Sequence, residues 1–177
     1  MINQANHTLV SVVMITYNHE GFIGQAIESV LRQIGDFSLE LIVSDDVSTD
    51  KTRAIIDSYA IKHPNSIVRN YQESNVGAIK NYTDAYKFCR GSFIANCEGD
   101  DFWTDPLKLQ KQIDFLEAND SYVMCFHDAT KLDMLKYNNT DEGGNRMIGV
   151  DKPFDITTED LIERNRANTL TVVFRNN

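Results

Sequence analysis

From Leu9 to about residue 127, short β-branched apolar runs alternate with stretches of helical periodicity. Leu9–Ile15 is nearly continuous in apolar residues, the pattern of a strand covered on both faces. After Thr16-Tyr17-Asn18-His19, residues Phe22, Ile23, Ala26, Ile27, Val30, Leu31 and Ile34 recur at helical spacing, stopped by Gly35-Asp36. Leu39–Val43 predicts a second strand, and Thr49 or Asp50 is placed to cap a helix with Ala54, Ile55, Tyr59 and Ile61 on its apolar face. Ser66–Tyr71 predicts a third strand. Asn75-Val76-Gly77 opens a third helix that buries Ile79, Tyr82, Ala85, Tyr86 and Cys89. Phe93–Cys97 predicts a fourth strand, and Asp105-Pro106 supplies an N-cap and first-turn proline. A helix with Leu109, Ile113 and Leu116 follows, then a strand over Tyr122–Phe126. This alternation predicts an α/β fold: a three-layer sandwich with a mostly parallel central sheet.

Residues 132 to 155 lose the periodicity and carry Asn138-Asn139, Gly143-Gly144 and Pro153, which predicts a long loop. A short helix near 157 to 165 and a last strand, Leu170–Arg175, are expected to finish the chain.

Size and charge narrow the function. At 177 residues there is enough chain for one domain with a sizeable core. The net charge of −9 is spread along the sequence, which argues against nucleic acid or an anionic membrane surface as the main partner. An acidic site still binds an anion when a divalent cation bridges them. Cys89, Cys97 and Cys125 have no C-x-x-C spacing and lie in apolar segments, so free thiols in a reducing compartment are expected. Met1–Thr8 has no signal-peptide pattern, and no apolar run reaches membrane-spanning length. A cytoplasmic protein is expected, with peripheral contact at the inner face of the membrane left open.

The chemistry gathers where strands end. Glu98, Asp100 and Asp101 follow the fourth strand directly, at the carboxyl end where open α/β sheets bind ligands. Hard oxygen ligands of this kind suit magnesium or manganese that also holds a diphosphate. The first turn lacks the G-x-G-x-x-G of dinucleotide binding, and no P-loop is present. The pair Asp45-Asp46 follows the second strand, not the first, which sets aside a receiver domain. The remaining strand ends, Thr16-Tyr17, Asp45-Asp46, Asn75 to Lys80 and Glu98 to Asp101, offer an aromatic face, an acceptor for a ring N–H, a cation and carboxylates. That inventory suits a nucleoside diphosphate with a divalent ion.

The motifs Ser-Val-Val-Met-Ile-Thr-Tyr-Asn, Val-Ser-Asp-Asp-Val-Ser-Thr-Asp, Asn-Val-Gly and Glu-Gly-Asp-Asp-Phe-Trp, in that order, resemble those of family-2 glycosyltransferases. These are inverting enzymes of the GT-A fold that use nucleotide-sugar donors. The resemblance covers residues 9 to roughly 127, and Asn168–Arg175 resembles the strand beyond the family's acceptor loop. It implies a single GT-A domain over 1–177 with a donor-binding part (9–127), a loop (128–156) and a closing helix and strand (157–177). It implies that Thr16 and Tyr17 contact the nucleoside, that Asp46 binds the base and that Lys80 stands near the nucleotide. Asn18, Asp45, Asn75 and Gly77 are further nucleotide-sugar candidates, Asp45 being equally placed to fix its turn by accepting from backbone N–H groups. Asp100 would approach the ribose, Asp101 with Asp100 would ligate Mn2+ or Mg2+ on the diphosphate, and Glu98 and Gly99 are further nucleotide-sugar candidates. Glu98 stands where the family has the first acid of its D-x-D pattern.

The implied reaction is transfer of a sugar from a nucleoside-diphosphate sugar, UDP by family habit, to a carbohydrate or lipid-linked acceptor with inversion. Surface-polysaccharide assembly is the implied setting. The family's general base usually lies after the strand corresponding to 170–175, so Asp128 is the positional candidate here and the sequence reads as a donor-binding half. Two other readings share the site: a nucleotide- or carbohydrate-binding module without turnover, and a metal-dependent sugar nucleotidyltransferase. The latter usually has a Gly-rich basic loop after its first strand, and Thr16–Gly21 is neither.

Overall fold

The computed structural model describes residues 8–132, 146–148 and 168–176. The parallel core is β1 (Thr8–Thr16), β2 (Phe37–Asp45), β3 (Ile67–Tyr71) and β4 (Phe93–Asn96). Helices α1 (Ile23–Leu31), α2 (Thr52–Lys62) and α3 (Ala78–Tyr86) connect them. Beyond β4 come α4 (Lys108–Ala118), β5 (Met124–Cys125), β6 (Ala129–Lys131), β7 (Arg146–Ile148), a 3-10 turn (Thr169–Thr171) and β8 (Val173–Arg175). The main sheet runs β3-β2-β1-β4-β8-β5, with β8 antiparallel to both its neighbours. The expected mostly parallel α/β sheet is what forms.

Strand β1 explains why the first apolar run is continuous. Val10, Val12 and Met14 pack with Ile23, Ile27, Ile56, Leu109 and Leu116 from α1, α2 and α4. Val13 and Ile15 point the other way and pack with Ala85, Tyr82 and Tyr86 of α3. Successive side chains alternate between faces, and both faces are covered by helices.

At the amino end of the sheet a polar clamp closes the structure. Glu40 of β2 is 2% exposed, and its carboxylate accepts from Ser11 Oγ (2.7 Å), the Arg90 backbone N–H (2.8 Å) and the Arg90 guanidinium (2.9 and 2.6 Å). Gly91 must be glycine there, because a Cβ would lie 2.6 Å from both Leu9 O and Ser11 N.

Several local expectations need correction. Ile79 is 86% exposed: the buried stripe of α3 is Asn81 and Ala85, and residue 79 lies on the other side of the helix. Ile61 is 78% exposed: the buried stripe of α2 is Thr52, Ile56 and Ala60, and residue 61 is one step round from it. Helix α1 ends at Leu31, leaving Ile34 outside with its N–H donating to Pro106 O at 2.8 Å. The strand expected over Tyr122–Phe126 shortens to Met124–Cys125, and a 3-10 turn takes the first residues of the expected Leu170–Arg175 strand. Within the expected loop, Arg146–Ile148 pairs antiparallel with β6. The helix expected near 157 to 165 lies outside the described residues. Asp50 and Asp105 accept from Thr52 N and Leu107 N at 2.9 Å each, but the helices start later than expected, with Lys51 and Leu107 at the N-cap positions and no side-chain cap hydrogen bond at either.

Candidate functional site

The strand order reverses direction at β1, with β2 on one side and β4 on the other. At the carboxyl ends of these strands lies a cleft of about 410 Å3, lined by Ile15, Thr16, Tyr17, His19, Asp46, Asn75, Gly77, Ala78, Asn81, Glu98 and Asp100. Ligands in open α/β sheets bind at such switch points.

The β1 wall presents Tyr17, 47% exposed, as an open aromatic face. Thr16 is buried behind it, and its Oγ1 has no hydrogen-bond partner. The following Asn18 adopts a left-handed backbone (φ 56°) that polar Asn tolerates. Its side-chain oxygen accepts from Thr49 N (2.8 Å) and its own N–H donates to Ser48 Oγ (2.8 Å). Asn18 thus ties the β1 and β2 turns together and does not line the cleft.

The β2 wall separates its two aspartates. Asp45 is fully buried, accepts from Arg53 Nε and from Ser48 N (3.0 Å), and lies outside the cleft lining. Asp46, 4% exposed, faces the cleft and accepts from the backbone N–H groups of Val76 (2.7 Å) and Gly77 (2.9 Å). Its carbonyl accepts from Asn75 Nδ2 at 3.1 Å. Gly77, at φ 78°, starts α3 in a conformation an L side chain rarely adopts. The carboxylate therefore sits on the N-terminus of α3, where orphan N–H groups and the helix dipole favour negative charge.

Lys80 does not pair with Asp46. Its ammonium lies 2.6 Å from Asp84, one turn along α3, and with Lys87 it holds the Asp84 carboxyl down to about 2.

The β4 wall is the acidic turn. Gly99 brings it against β1: a Cβ there would lie 2.8 Å from Thr16 Cβ and Oγ1 and 3.0 Å from His19 Nδ1. Asp100 projects outward, 54% exposed, while Glu98 and Asp101 are half-buried. Burial pushes the Glu98 carboxyl up, and the charges of Asp101 and Asp100 add to it. Burial and the charge of Asp100 likewise raise Asp101. Behind them Tyr82 keeps a buried hydroxyl with no hydrogen-bond partner, and burial with the nearby Glu98 charge raises its pKa.

This donor set fits a divalent ion. Mg2+ and Mn2+ take hard oxygens, and with a diphosphate present they need only one or two carboxylates from the protein. Raised carboxyls crowded on one turn are relieved by a cation. Among the described residues no three His, Cys, Asp or Glu side chains form a ready-made cage, so phosphate oxygens would have to complete the shell.

The structure thus gathers Thr16, Tyr17, Asp46, Asn75, Gly77, Glu98 and Asp100 around one cleft; Gly99 and Asp101 belong to the same acidic turn but are not among the lining residues. Asn18, Asp45 and Lys80 stand outside its lining. Asp128, between β5 and β6, is exposed and also outside it. The residue reading missed His19 and Asn81. Asn81 lies one helical turn after Gly77 and is bonded to Ser44 O (3.0 Å) and Ser44 Oγ (2.5 Å), a position the i, i+4 spacing marks.

The mostly parallel sheet with helices on both faces is of the GT-A type. The chain belongs to glycosyl transferase family 2, whose family model matches residues 11–172. It is 30% identical over 171 residues to the Bacillus subtilis protein TuaG, named as a teichuronic acid biosynthesis glycosyltransferase, covering 93% of this chain and 61% of that one. Its fold is similar to Staphylococcus aureus TarS 1–349 in complex with UDP-GlcNAc, at a TM-score of 0.60 and 22% identity over 94% of this chain and 45% of that one. It is also similar to the Pyrobaculum calidifontis mannosyltransferase PcManGT in complex with GDP-Man and Mn2+, at a TM-score of 0.61 and 22% identity over 68% of this chain and 35% of that one. The chain spans about half the length of the curated relatives it matches. Among the described residues, no helix is long and apolar enough to cross a membrane.

Proposed function

We propose that this chain carries the donor site of a hexosyl-type transferase that takes a nucleoside-diphosphate sugar, UDP-linked by preference, and passes the sugar with inversion to a carbohydrate or lipid-linked acceptor. The observation that carries the reading is the cleft itself, where Tyr17, Asp46 and the acidic turn meet at the carboxyl ends of β1, β2 and β4. Tyr17 offers a face for the base, and Asp46 an acceptor at the base end. Asp100 and Asp101 would hold Mn2+ or Mg2+ against the diphosphate, where the cation supplies charge neutralisation for the leaving group. The buried setting of Glu98 and Asp101 strengthens that interaction, since electrostatics act further where water is excluded. The donors in the TarS and PcManGT complexes and the Mn2+ of the latter support this reading.

The test is calorimetric titration with UDP and GDP, with Mn2+ and again with EDTA, on wild type and Asp101→Ala. Binding of one nucleotide that disappears with EDTA and in Asp101→Ala is expected. Failure of both nucleotides to bind with Mn2+ present would sink the reading.

A further inference from the structure

The β1–α1 turn places in the cleft one basic side chain to which the donor reading gives no role. His19 lines the cleft with its side chain 24% exposed, and Nε2 stands 3.8 Å from Asp100 Oδ2. The backbone that carries it is fixed on both sides: its N–H donates to Thr52 Oγ1 at 2.8 Å, and its carbonyl accepts from the N–H groups of Phe22 and Ile23 at 2.9 Å each. Nδ1 is buried without a hydrogen-bond partner and lies against Gly99.

These facts orient the proton. An N–H on Nδ1 would be buried and unsatisfied, an arrangement folded proteins avoid. Assigning the tautomer from the network puts the proton on Nε2. At 3.8 Å the approach to Asp100 is too long for a hydrogen bond, so the Nε2–H donor remains available to a ligand. The other titratable groups lining the cleft, besides Tyr17, are the carboxylates Asp46, Glu98 and Asp100, so His19 is the one basic side chain among the described residues that line it. An anionic ligand beside those carboxylates needs a donor there.

We infer that His19 Nε2 donates a hydrogen bond to a sugar–phosphate oxygen of the bound nucleotide, on the Asp100 side of the cleft. The inference rests on the nucleotide reading of the site. It makes His19 a donor-binding residue, held beside Gly99, where an added Cβ would crowd Thr16 at 2.8 Å and His19 Nδ1 at 3.0 Å.

The test uses His19→Phe, which keeps ring bulk without the donor, and His19→Gln, which returns an N–H donor near Nε2. Wild type and both variants are titrated with the nucleoside, monophosphate and diphosphate of uridine and of guanosine, with Mn2+ present. Diphosphate affinity should fall about tenfold in His19→Phe and recover to within about twofold in His19→Gln. Thermal midpoints of the variants serve as the folding control. A loss already seen with the nucleoside assigns a ribose oxygen, and a loss confined to the phosphorylated ligands assigns a phosphate oxygen; both support the inference. Equal affinities of wild type and His19→Phe overturn it, as does a loss that His19→Gln fails to restore. Absence of wild-type binding to every ligand defeats the nucleotide reading itself and overturns this inference with it.

Discussion

Replacing Asp46 by alanine separates the structural from the ligand-binding use of one carboxylate. The side chain is 4% exposed and takes two backbone N–H groups, from Val76 at 2.7 Å and Gly77 at 2.9 Å. A hydrogen bond to a charged group contributes about 1.5–3 kcal/mol, and loss of a helix cap costs about 0.5–2 kcal/mol. The two amides border an open cleft, so water partly replaces the lost carboxylate, which holds the total to about 2 kcal/mol. For a chain of this size that is a drop of about 4–8 °C in thermal midpoint at pH 7. Asp46→Asn keeps one good acceptor and should lose about half as much. Amide hydrogen exchange at Val76 and Gly77 should accelerate in Asp46→Ala while β1 and β2 stay protected. A change in Asp46→Ala below about 0.5 kcal/mol, within the range of ordinary surface substitutions, would show that the carboxylate does not hold the start of α3.

Three further outcomes follow from other parts of the molecule. Burial opposes ionisation of Glu40, but Ser11 and Arg90 outweigh it and hold its carboxyl below the ordinary value. That stabilisation is present above the unfolded carboxyl range and lost as pH falls through the folded pKa. Arg90→Met should therefore cost about 2 kcal/mol at pH 7, less than a fully buried pair because the Arg90 side chain is 72% exposed, and urea unfolding should show the gap to wild type closing below about pH 4. Lys108 is buried without a hydrogen-bond partner, its ammonium 3.9 Å from the Trp103 ring centroid, and burial pushes its pKa down to about 7. The unfolded chain binds the extra proton, so wild-type stability should rise from pH 7 towards pH 10, and Lys108→Met should raise the midpoint at pH 7 and flatten that slope. Gly99→Ala forces β1 and the acidic turn apart, so it should destabilise by about 1–3 kcal/mol and weaken nucleotide binding in calorimetry.

Much of the fold was legible because its signals are local. The continuous run Leu9–Ile15 announces a strand covered on both sides, and Asp50 and Asp105 announce helix starts. What failed depended on which stripe of a helix meets the sheet. Ile79 fits the helical stripe of Tyr82 and Tyr86, yet α3 turns Asn81 and Ala85 fully inward instead. The site was legible as a set of turns, because every polar strand end falls on the same edge of the sheet. Which member of a turn faces the cleft was not legible. Asp45 and Asp46 are chemically identical neighbours, and only strand alternation and Arg53 decide that the first turns inward. Lys80 reads from the sequence as a cation beside the nucleotide, and the i, i+4 carboxylate at Asp84 takes it instead. His19 carried no ligand spacing, and the close approach at Gly99 that fixes it is a tertiary fact.

The turns after β1 and β2 are joined by five hydrogen bonds of 2.8 to 3.0 Å, from Asn18 N to Ser48, His19 N to Thr52, Glu20 N to Asp50, Thr49 N to Asn18 and Lys51 N to Glu20. Each turn supplies donors to the other, so neither can open without breaking bonds in both. Their amides should exchange as one cooperative unit, with a shared opening free energy.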